Sequence, residues 1–482
     1  MVPSPPVRRG GVANGAPGQS FAAAVPNPET DLLLKLAFGF FAFDLFLVVS
    51  KFLEIISMAG GSRIPYLGVT LHVVTLVLAV ISGGAKRVVT SRVGLWLGLF
   101  TVWMMVCTLA STWRGGSADT LAREWLPSLI IFVGCGTVVT LPQCRKIAAI
   151  VAVGTAIIAG ASYAFGTLEG ERFTLTSGTL GNANDLSMLL VLGTPFFLVP
   201  VFSKGSSRVL KVVALALVAM VLIIVIRSAS RSNLLALLAI LLVLFWTRSF
   251  AGKLKLGLVS VVLAVLFFTL TPREVLSRYV TLFGNAESND DIAASAQESS
   301  LARQHLLEQS LKLTITHPFF GLGPGIFSVG EADLAKSEGR AAAWQVSHNS
   351  YTQVSSEMGI PGLLLYLAGL WATFRNIFWF RAQSRSDPTG RISALGLALL
   401  LSLIGLCVNL GFSSNAYFSY LPMLMGLSVV FKKSLQLERE RNSPILTVSA
   451  PESRTAVPAK PSAASSGKPV YRFLGRSASG RV

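Results

Sequence analysis

Long apolar runs alternate with short polar connections along most of the chain. A helix needs about 20 apolar residues to cross about 30 Å of hydrocarbon, and it bonds its own backbone polar groups while doing so. About twelve runs meet this pattern, at 32–50, 64–82, 93–110, 126–141, 146–166, 183–203, 209–227, 231–248, 253–271, 359–380, 391–411 and 415–432. The pattern predicts an all-α integral membrane protein with about twelve transmembrane helices.

The polar stretches divide the chain into five parts. Residues 1–30 are rich in Pro, Gly and Ala and lack a long apolar core, which predicts a disordered cytoplasmic leader rather than a signal peptide. Membrane helices are expected in 31–271 and in 359–432, and a large periplasmic loop at 272–358 separates them. The stretch LARQHLLEQSLKLTI within this loop has helical spacing, which predicts short helices there. Residues 433–482 are expected to form a disordered basic cytoplasmic tail that contacts membrane lipids.

Composition supports this organisation. The 482 residues are 52% hydrophobic and 13% charged, with a net charge of +18. Basic residues gather in every second loop, as the positive-inside rule requires, so both termini are expected in the cytoplasm and no nucleic acid is expected as a partner. The four cysteines lack metal-ligand spacing, and the acidic pair of SNDD (288–291) lies in a polar loop, where solvation is the usual state. The sequence predicts neither a disulfide nor a metal site.

One polar stretch, HNSYTQVSSEMGIPG, stands immediately before the apolar run at 359–380. If His348 begins a helix, a rotation of about 100° per residue brings Tyr351, Gly359 and Gly362 to its side and Glu357 to the opposite side. Small residues on the histidine side would let a substrate approach closely. The alternative interpretation is a polar interfacial helix whose histidine is simply solvated.

Two arginines, Arg227 and Arg231, flank the short stretch RSASR between two apolar runs. They fall on the predicted outer face, against the charge rule. Guanidinium groups donate in a planar fork that suits phosphate, so the pair is a candidate clamp for a lipid-linked phosphate. The alternative is that both side chains reach ordinary phospholipid headgroups.

Two further motifs carry polar residues at the predicted outer face. GNANDLS (181–187) begins the sixth span, where Asn184 or Asp185 is either an ordinary helix N-cap or part of a site. HPFFGLGPGIF (317–327) has the glycines and prolines of a rigid turn, and His317 is expected to order that turn rather than to react.

These motifs together resemble the O-antigen ligase and polymerase superfamily of the Wzy_C type. His348 and Asn349, followed after nine residues by Gly359 and after two more by Gly362, are similar to the ligases' periplasmic histidine motif. HPFFGLGPGIF resembles the superfamily's His-Pro and glycine stretch, and GNANDLS resembles its Gly-Asn-x-Asn-Asp segment. Leu363 stands where ligases often have Thr, a departure from the ligase pattern. The likeness by motif covers roughly residues 180 to 370.

The resemblance implies a GT-C-like fold and a membrane glycosyltransferase at the periplasmic face of the bacterial inner membrane. It implies an undecaprenyl-diphosphate-linked glycan as donor, no cofactor, and a saccharide acceptor such as lipid A core. By the same likeness His348 is the catalytic residue, and Arg227, Arg231 and Arg303 bind the diphosphate. Asn349, Tyr351, Asn184, Asp185, His317 and the two glycines are expected in secondary roles.

Several alternatives stay open. One large outer loop favours a ligase, but O-antigen or exopolysaccharide polymerases and protein O-oligosaccharyltransferases share the superfamily. A transporter is an alternative function from outside the glycosyltransferases. Transporters often carry repeats and polar residues near the bilayer midplane, whereas here the polar residues gather at the outer face.

Overall fold

The computed structural model describes residues 31–58, 66–169, 172–175, 178–270, 276 and 291–442. The helices are α1 Leu32–Ser50, α2 Phe52–Met58, α3 Leu67–Ile81, α4 Gly84–Val89, α5 Arg92–Ala110, α6 Arg114–Thr120, α7 Leu126–Cys135, α8 Leu141–Phe165, α9 Ala183–Phe202, α10 Arg208–Arg227, α11 Arg231–Trp246, α12 Phe250–Leu270, α13 Asp291–Thr316, α14 Phe327–Ser337, α15 Ser350–Gln383, α16 Arg391–Leu410 and α17 Tyr420–Asn442. A π-helical turn, Leu121–Trp125, joins α6 to α7, and the strands β1 Thr167–Glu169 and β2 Arg172–Thr174 form an antiparallel hairpin.

Each predicted apolar run coincides with a helix. Among the described residues, seven helices are long and apolar enough to cross a membrane, namely α1, α5, α8, α9, α10, α15 and α16, and two shorter apolar helices are α3 and α11. The chain is therefore an all-α, multi-pass membrane protein, and the count of twelve spans stays a prediction. Several predicted boundaries were wrong by five residues or more. The helix of the fourth run ends at Cys135 rather than at 141, and that of the fifth begins at Leu141 rather than at 146. The helix of the twelfth spans Tyr420–Asn442 rather than 415–432, so the first ten residues of the predicted tail are helical.

The centre of the molecule is built by α9, α16 and α17. In the most apolar 18-residue stretch of each helix, 67% of α9 and 72% of α16 is buried, whereas only 22% of α10 is buried. Ser402 of α16 donates a hydrogen bond to the Leu192 carbonyl of α9 at 2.7 Å. Buried helices at the centre and an exposed apolar helix at the outside are the pattern expected when lipid surrounds the bundle.

Loops predicted on the same side of the membrane contact one another. Arg87, in a loop predicted to be cytoplasmic, donates to the carbonyl of Gly136, which lies in the last part of the fourth predicted span, at 3.2 Å. At the other set of loops, Arg172 donates to the Ser228 carbonyl at 3.2 Å. These contacts are consistent with the alternation of basic and less basic loops along the sequence.

The described part of the predicted large loop packs against the first half of α15. The stretch predicted to be helical lies inside α13, and Thr314 of α13 lies 2.8 Å from Ser355 of α15, hydroxyl to hydroxyl. The fully buried Glu357 accepts hydrogen bonds from the backbone N–H groups of Gly325 and Phe327 at 2.8 and 3.2 Å. The tyrosine hydroxyl of Tyr417 donates to the same carboxylate at 2.6 Å. Glu357 therefore joins the loop to the helix through three hydrogen bonds.

A break at Gly359 divides α15 into a loop-facing part and a membrane part. Its φ of 69° and ψ of −178° are non-helical, and the next N–H, that of Ile360, donates to the Pro318 carbonyl at 2.8 Å. A Cβ at this position would lie 2.0 Å from the Phe319 carbonyl oxygen. Glycine is therefore required both by the backbone conformation and by the close approach of the HPFFGLGPGIF turn.

Gly359→Ala is expected to lower the free energy of unfolding by more than about 2 kcal/mol, because it adds a backbone clash to a left-handed φ. Gly160→Ala in α8 is the matched control, since a Cβ there meets nothing within 4 Å and alanine favours the helix. Thermal unfolding of the two purified variants in detergent measures the difference. Equal stability of Gly359→Ala and wild type would contradict the tight approach described.

Candidate active site

His348 lies immediately before α15, not within it. The helix begins at Ser350, so the prediction that His348 opens a helix is wrong by two residues. Its φ of 53° is left-handed, a conformation that costs a non-glycine residue about 1–3 kcal/mol. The His348 N–H donates to the Ser414 hydroxyl at 2.8 Å, and Ser347 lies 3.1 Å from the same hydroxyl. These contacts hold the half-buried imidazole in a strained and defined position.

Asn349 and Tyr351 fix the start of the helix that follows. The Asn349 side chain is the N-cap, and it accepts hydrogen bonds from the N–H groups of Tyr351 and Thr352 at 3.0 and 3.2 Å. The Tyr351 hydroxyl donates to the Cys407 carbonyl of α16 at 2.9 Å. Both residues thus position His348 through the backbone.

Three other predicted site residues serve the turn and the helix packing. His317 is exposed, and its Nδ1 lies 3.0 Å from the Thr316 hydroxyl, while its carbonyl accepts from the Gly321 N–H at 3.2 Å. It orders the turn, as the sequence indicated. Gly359 admits the turn, and Gly362 lies in the membrane part of α15, where a Cβ would come within 2.6 Å of the Met358 Cβ.

Arg303 of α13 acts electrostatically on His348. Burial lowers the pKa of His348 below its ordinary value, and the nearby positive charge of Arg303 lowers it further. The imidazole is therefore neutral over a wider pH range than an exposed histidine. A neutral imidazole beside a guanidinium combines a proton acceptor with a cation.

The arginine pair lies at a helix-turn-helix corner, as predicted. Helix α10 ends at Arg227 and α11 begins at Arg231, and between them Ala229 has a left-handed φ of 52°. The Arg227 guanidinium carbon lies 5.2 Å from the centre of the Phe173 ring. The corner thus carries a second strained residue and two cations.

Asn184 attaches the start of α9 to this corner. The N-cap of α9 is Asn182, whose side chain accepts from the Asn184 N–H at 2.8 Å. Of the two alternatives that the sequence left open for Asn184 and Asp185, the N-cap was therefore wrong. The Asn184 side-chain oxygen instead accepts from Arg172 at 2.7 Å and from the Ser230 hydroxyl at 2.8 Å. These partners come from distant parts of the chain, which helix-cap signals do not describe.

Asp185 connects the same helix start to the histidine segment. Its carboxylate accepts from the Asn415 side chain at 3.3 Å, and the Asn415 N–H donates to the Ser350 hydroxyl at 3.0 Å. Ser350 in turn donates to the Ser413 carbonyl at 2.6 Å. The arginine corner and His348 therefore belong to one hydrogen-bonded polar layer.

Arg172, Ser414 and Asn415 were not predicted as site residues from the sequence. A signal for the last two was present, because FSSN (412–415) is a polar break between two apolar runs at the predicted outer face. Within the described ranges, no three His, Cys, Asp or Glu side chains converge as a possible metal-ligand set. Residues 288–290 of SNDD lie outside those ranges.

A comparison with known families identifies the central part of this layer. The family model described as O-antigen ligase, Wzy_C, matches residues 215–367. This segment is similar to the O-antigen ligase family. It confirms the resemblance to the superfamily and contains Arg227, Arg231, Arg303 and His348, whereas GNANDLS precedes it. No curated protein matches the chain.

His348 is expected to titrate below 6.5, its ordinary value. Arg303→Gln should raise the pKa of His348 while leaving it below 6.5, because burial remains after the charge is removed. The chain has four histidines, so isotope-labelled imidazole NMR in detergent, with His348→Asn for assignment, resolves the titration. The His317 signal is the internal control and should not move. An unchanged His348 titration in Arg303→Gln would contradict the electrostatic contact.

Proposed function

We propose that this protein transfers a glycan from undecaprenyl diphosphate to a saccharide hydroxyl at the periplasmic face of the bacterial inner membrane. The observation that carries the proposal is the half-buried His348 imidazole. The positive charge of Arg303 lowers its pKa, and hydrogen bonds place it in one polar layer with the Arg227–Arg231 corner. The match to the O-antigen ligase family covers all four residues. The lipid A core is the proposed acceptor.

The arginines would stabilise the leaving group. As the bond between the sugar C1 and the diphosphate oxygen breaks, negative charge grows on the diphosphate. Guanidinium groups held in place before the reaction stabilise such charge without having to reorganise. Arg227 and Arg231 are held at a fixed corner, and Arg303 of α13 is near enough to His348 for its charge to lower the histidine pKa.

His348 would act as the general base. The acceptor hydroxyl oxygen forms the new bond to C1, its proton passes to the neutral imidazole, and undecaprenyl diphosphate leaves from the opposite side of the ring. The anomeric centre is inverted. The lowered pKa keeps His348 unprotonated at neutral pH, which a base requires before it accepts a proton. The donor is already activated, so the reaction needs no nucleotide.

A polymerase of the same superfamily would use this chemistry with a different acceptor, namely another lipid-linked glycan. Deleting the gene and separating the surface polysaccharides on a gel distinguishes the two. Loss of a ligase leaves polymer on the lipid carrier, loss of an O-antigen polymerase leaves single-repeat decoration, and loss of an exopolysaccharide polymerase leaves lipopolysaccharide unchanged.

His348→Ala is expected to lower kcat about 10²- to 10⁴-fold, the usual contribution of a general base. The assay uses purified protein, lipid-linked glycan and a saccharide acceptor. His317→Ala, which removes an exposed histidine from the same loop layer, should retain activity. Transfer by His348→Ala at the wild-type rate would remove the assignment of His348 as the base.

Arg231→Ala is expected to lower kcat/KM for the donor about 10²-fold or more, because the diphosphate loses its interaction with one positively charged guanidinium group. Arg208→Ala is the matched control, since this exposed arginine begins α10 at the end opposite the corner. Steady-state kinetics with varied lipid-linked donor measure the effect. Unchanged donor affinity and turnover in Arg231→Ala would exclude the corner from the diphosphate site.

A further inference from the structure

A cleft of about 170 Å³ opens beside Asp185, between the end of α1, the π-helical turn Leu121–Trp125 and the starts of α7, α9 and α17. Its polar lining includes the side chains of Glu124, Asp185 and Ser419, and its apolar lining includes Leu189, Phe418 and Tyr420. Neither the base nor the arginines of the proposed reaction line it. A mixed wall of carboxylates, a hydroxyl and aromatic rings is typical of a site for a polar organic ligand.

The cations at the cleft already have partners. Lys51 forms an ion pair with Glu54 at 3.2 Å, and Arg123 forms one with Asp119 at 2.6 Å. Glu124 has no such partner among the described residues. Burial and the negative charge of Asp119 raise the pKa of Glu124 above its ordinary value, so its carboxylate is poorly solvated and poorly neutralised. The cleft therefore offers hydrogen-bond acceptors and would repel a phosphate group.

The backbone that presents Glu124 is unusual. Leu121–Trp125 is a π-helical turn, a rare conformation that occurs frequently at functional sites. The turn is fixed by Trp125, which is fully buried. Its ring packs edge-to-face against that of Phe100 with the ring centres 5.0 Å apart, and its indole N–H donates to the Thr101 hydroxyl at 3.0 Å. Glu124 is thus held in the cleft wall by an anchored and locally irregular segment.

The cleft is also connected to the histidine. Asp185, which lines it, accepts from Asn415, and the Asn415 N–H donates to Ser350, two residues after His348. A chain of sugars that reacts at His348 could extend along this layer into the cleft. Carboxylates accept hydrogen bonds from sugar hydroxyls, and Phe418 and Tyr420 offer apolar surface to the C–H faces of a ring.

We propose that this cleft is a saccharide subsite in which Glu124 and Asp185 accept hydrogen bonds from hydroxyl groups of one sugar unit of a glycan substrate. The inference rests on the proposed glycosyl transfer and extends it. The sugar can belong to the lipid-linked donor or to the acceptor, because both present the same hydroxyl chemistry. The kinetic experiment below separates these two sources.

Glu124→Ala is expected to raise KM about tenfold or more for either the donor or the acceptor, since it removes a charged hydrogen-bond acceptor. Because Glu124 does not touch the reacting atoms in this proposal, kcat should stay within about twofold. Glu124→Gln, which retains one side-chain oxygen, should show a smaller rise. Glu308→Ala, an exposed acid of α13, is the matched control and should leave both KM values unchanged. The substrate whose KM rises is the one that occupies the cleft.

Thr179→Trp gives a second variant that does not depend on removing a half-buried charge. Thr179 is exposed at the rim of the cleft, so a large side chain there should obstruct the cleft and raise the same KM. Unchanged KM values for both substrates in Glu124→Ala and Thr179→Trp would overturn the subsite. A fall in kcat at constant KM would also overturn it, because it would place Glu124 in the chemical step.

A direct binding measurement separates this inference from the proposed function. Saturation-transfer NMR with the lipid-free oligosaccharide should show contact with wild type and with His348→Ala, and a weaker signal with Glu124→Ala. If wild type transfers no glycan but this pattern appears, the proposed transfer fails and the subsite survives. If transfer occurs and Glu124→Ala binds the oligosaccharide as wild type does, the subsite alone fails.

Discussion

Two of the hydrogen bonds of Asn415 hold the polar layer of this protein together. One joins its side chain to Asp185, 230 positions away along the chain, and the other joins its N–H to Ser350. Apolar contacts between membrane helices are not directional, whereas hydrogen bonds fix distance and orientation. The helices alone would bring the arginine corner and the histidine segment to the same end of the bundle. The bonds of Asn415 and of Asn184 set how these segments lie against one another.

Strain is found at both ends of this layer. His348 and Ala229 are non-glycine residues with φ near 50°, at 53° and 52°. His348 lies two residues before α15, and Ala229 lies between Arg227 and Arg231. Such conformations persist only where surrounding contacts hold them. Ser414 holds the first, and the bond from Ser230 to Asn184 holds the second. Part of the folding free energy thus offsets the strain that orients the imidazole and the two guanidinium groups.

The helices could be predicted because apolar length is a local property of the sequence, and every predicted run coincides with a helix. Their ends were harder. Three polar side chains compete within GNANDLS, and only Asn182 caps the helix, because Arg172 and Asn415 engage Asn184 and Asp185 from far away in the chain. The position of His348 before α15 depends likewise on Ser414. Helical periodicity contains no information about such distant partners.

The field of Arg303 on His348 has a further consequence for the proposed reaction. In the protein without substrate, this positive charge lowers the pKa of the imidazole and so weakens it as a base. A diphosphate bound to Arg303 would offset that charge and place negative charge near the histidine, which raises the pKa. The base would then be strongest only while the donor is bound. Arg303 would in this way link donor binding to proton transfer from the acceptor, in addition to stabilising the leaving group.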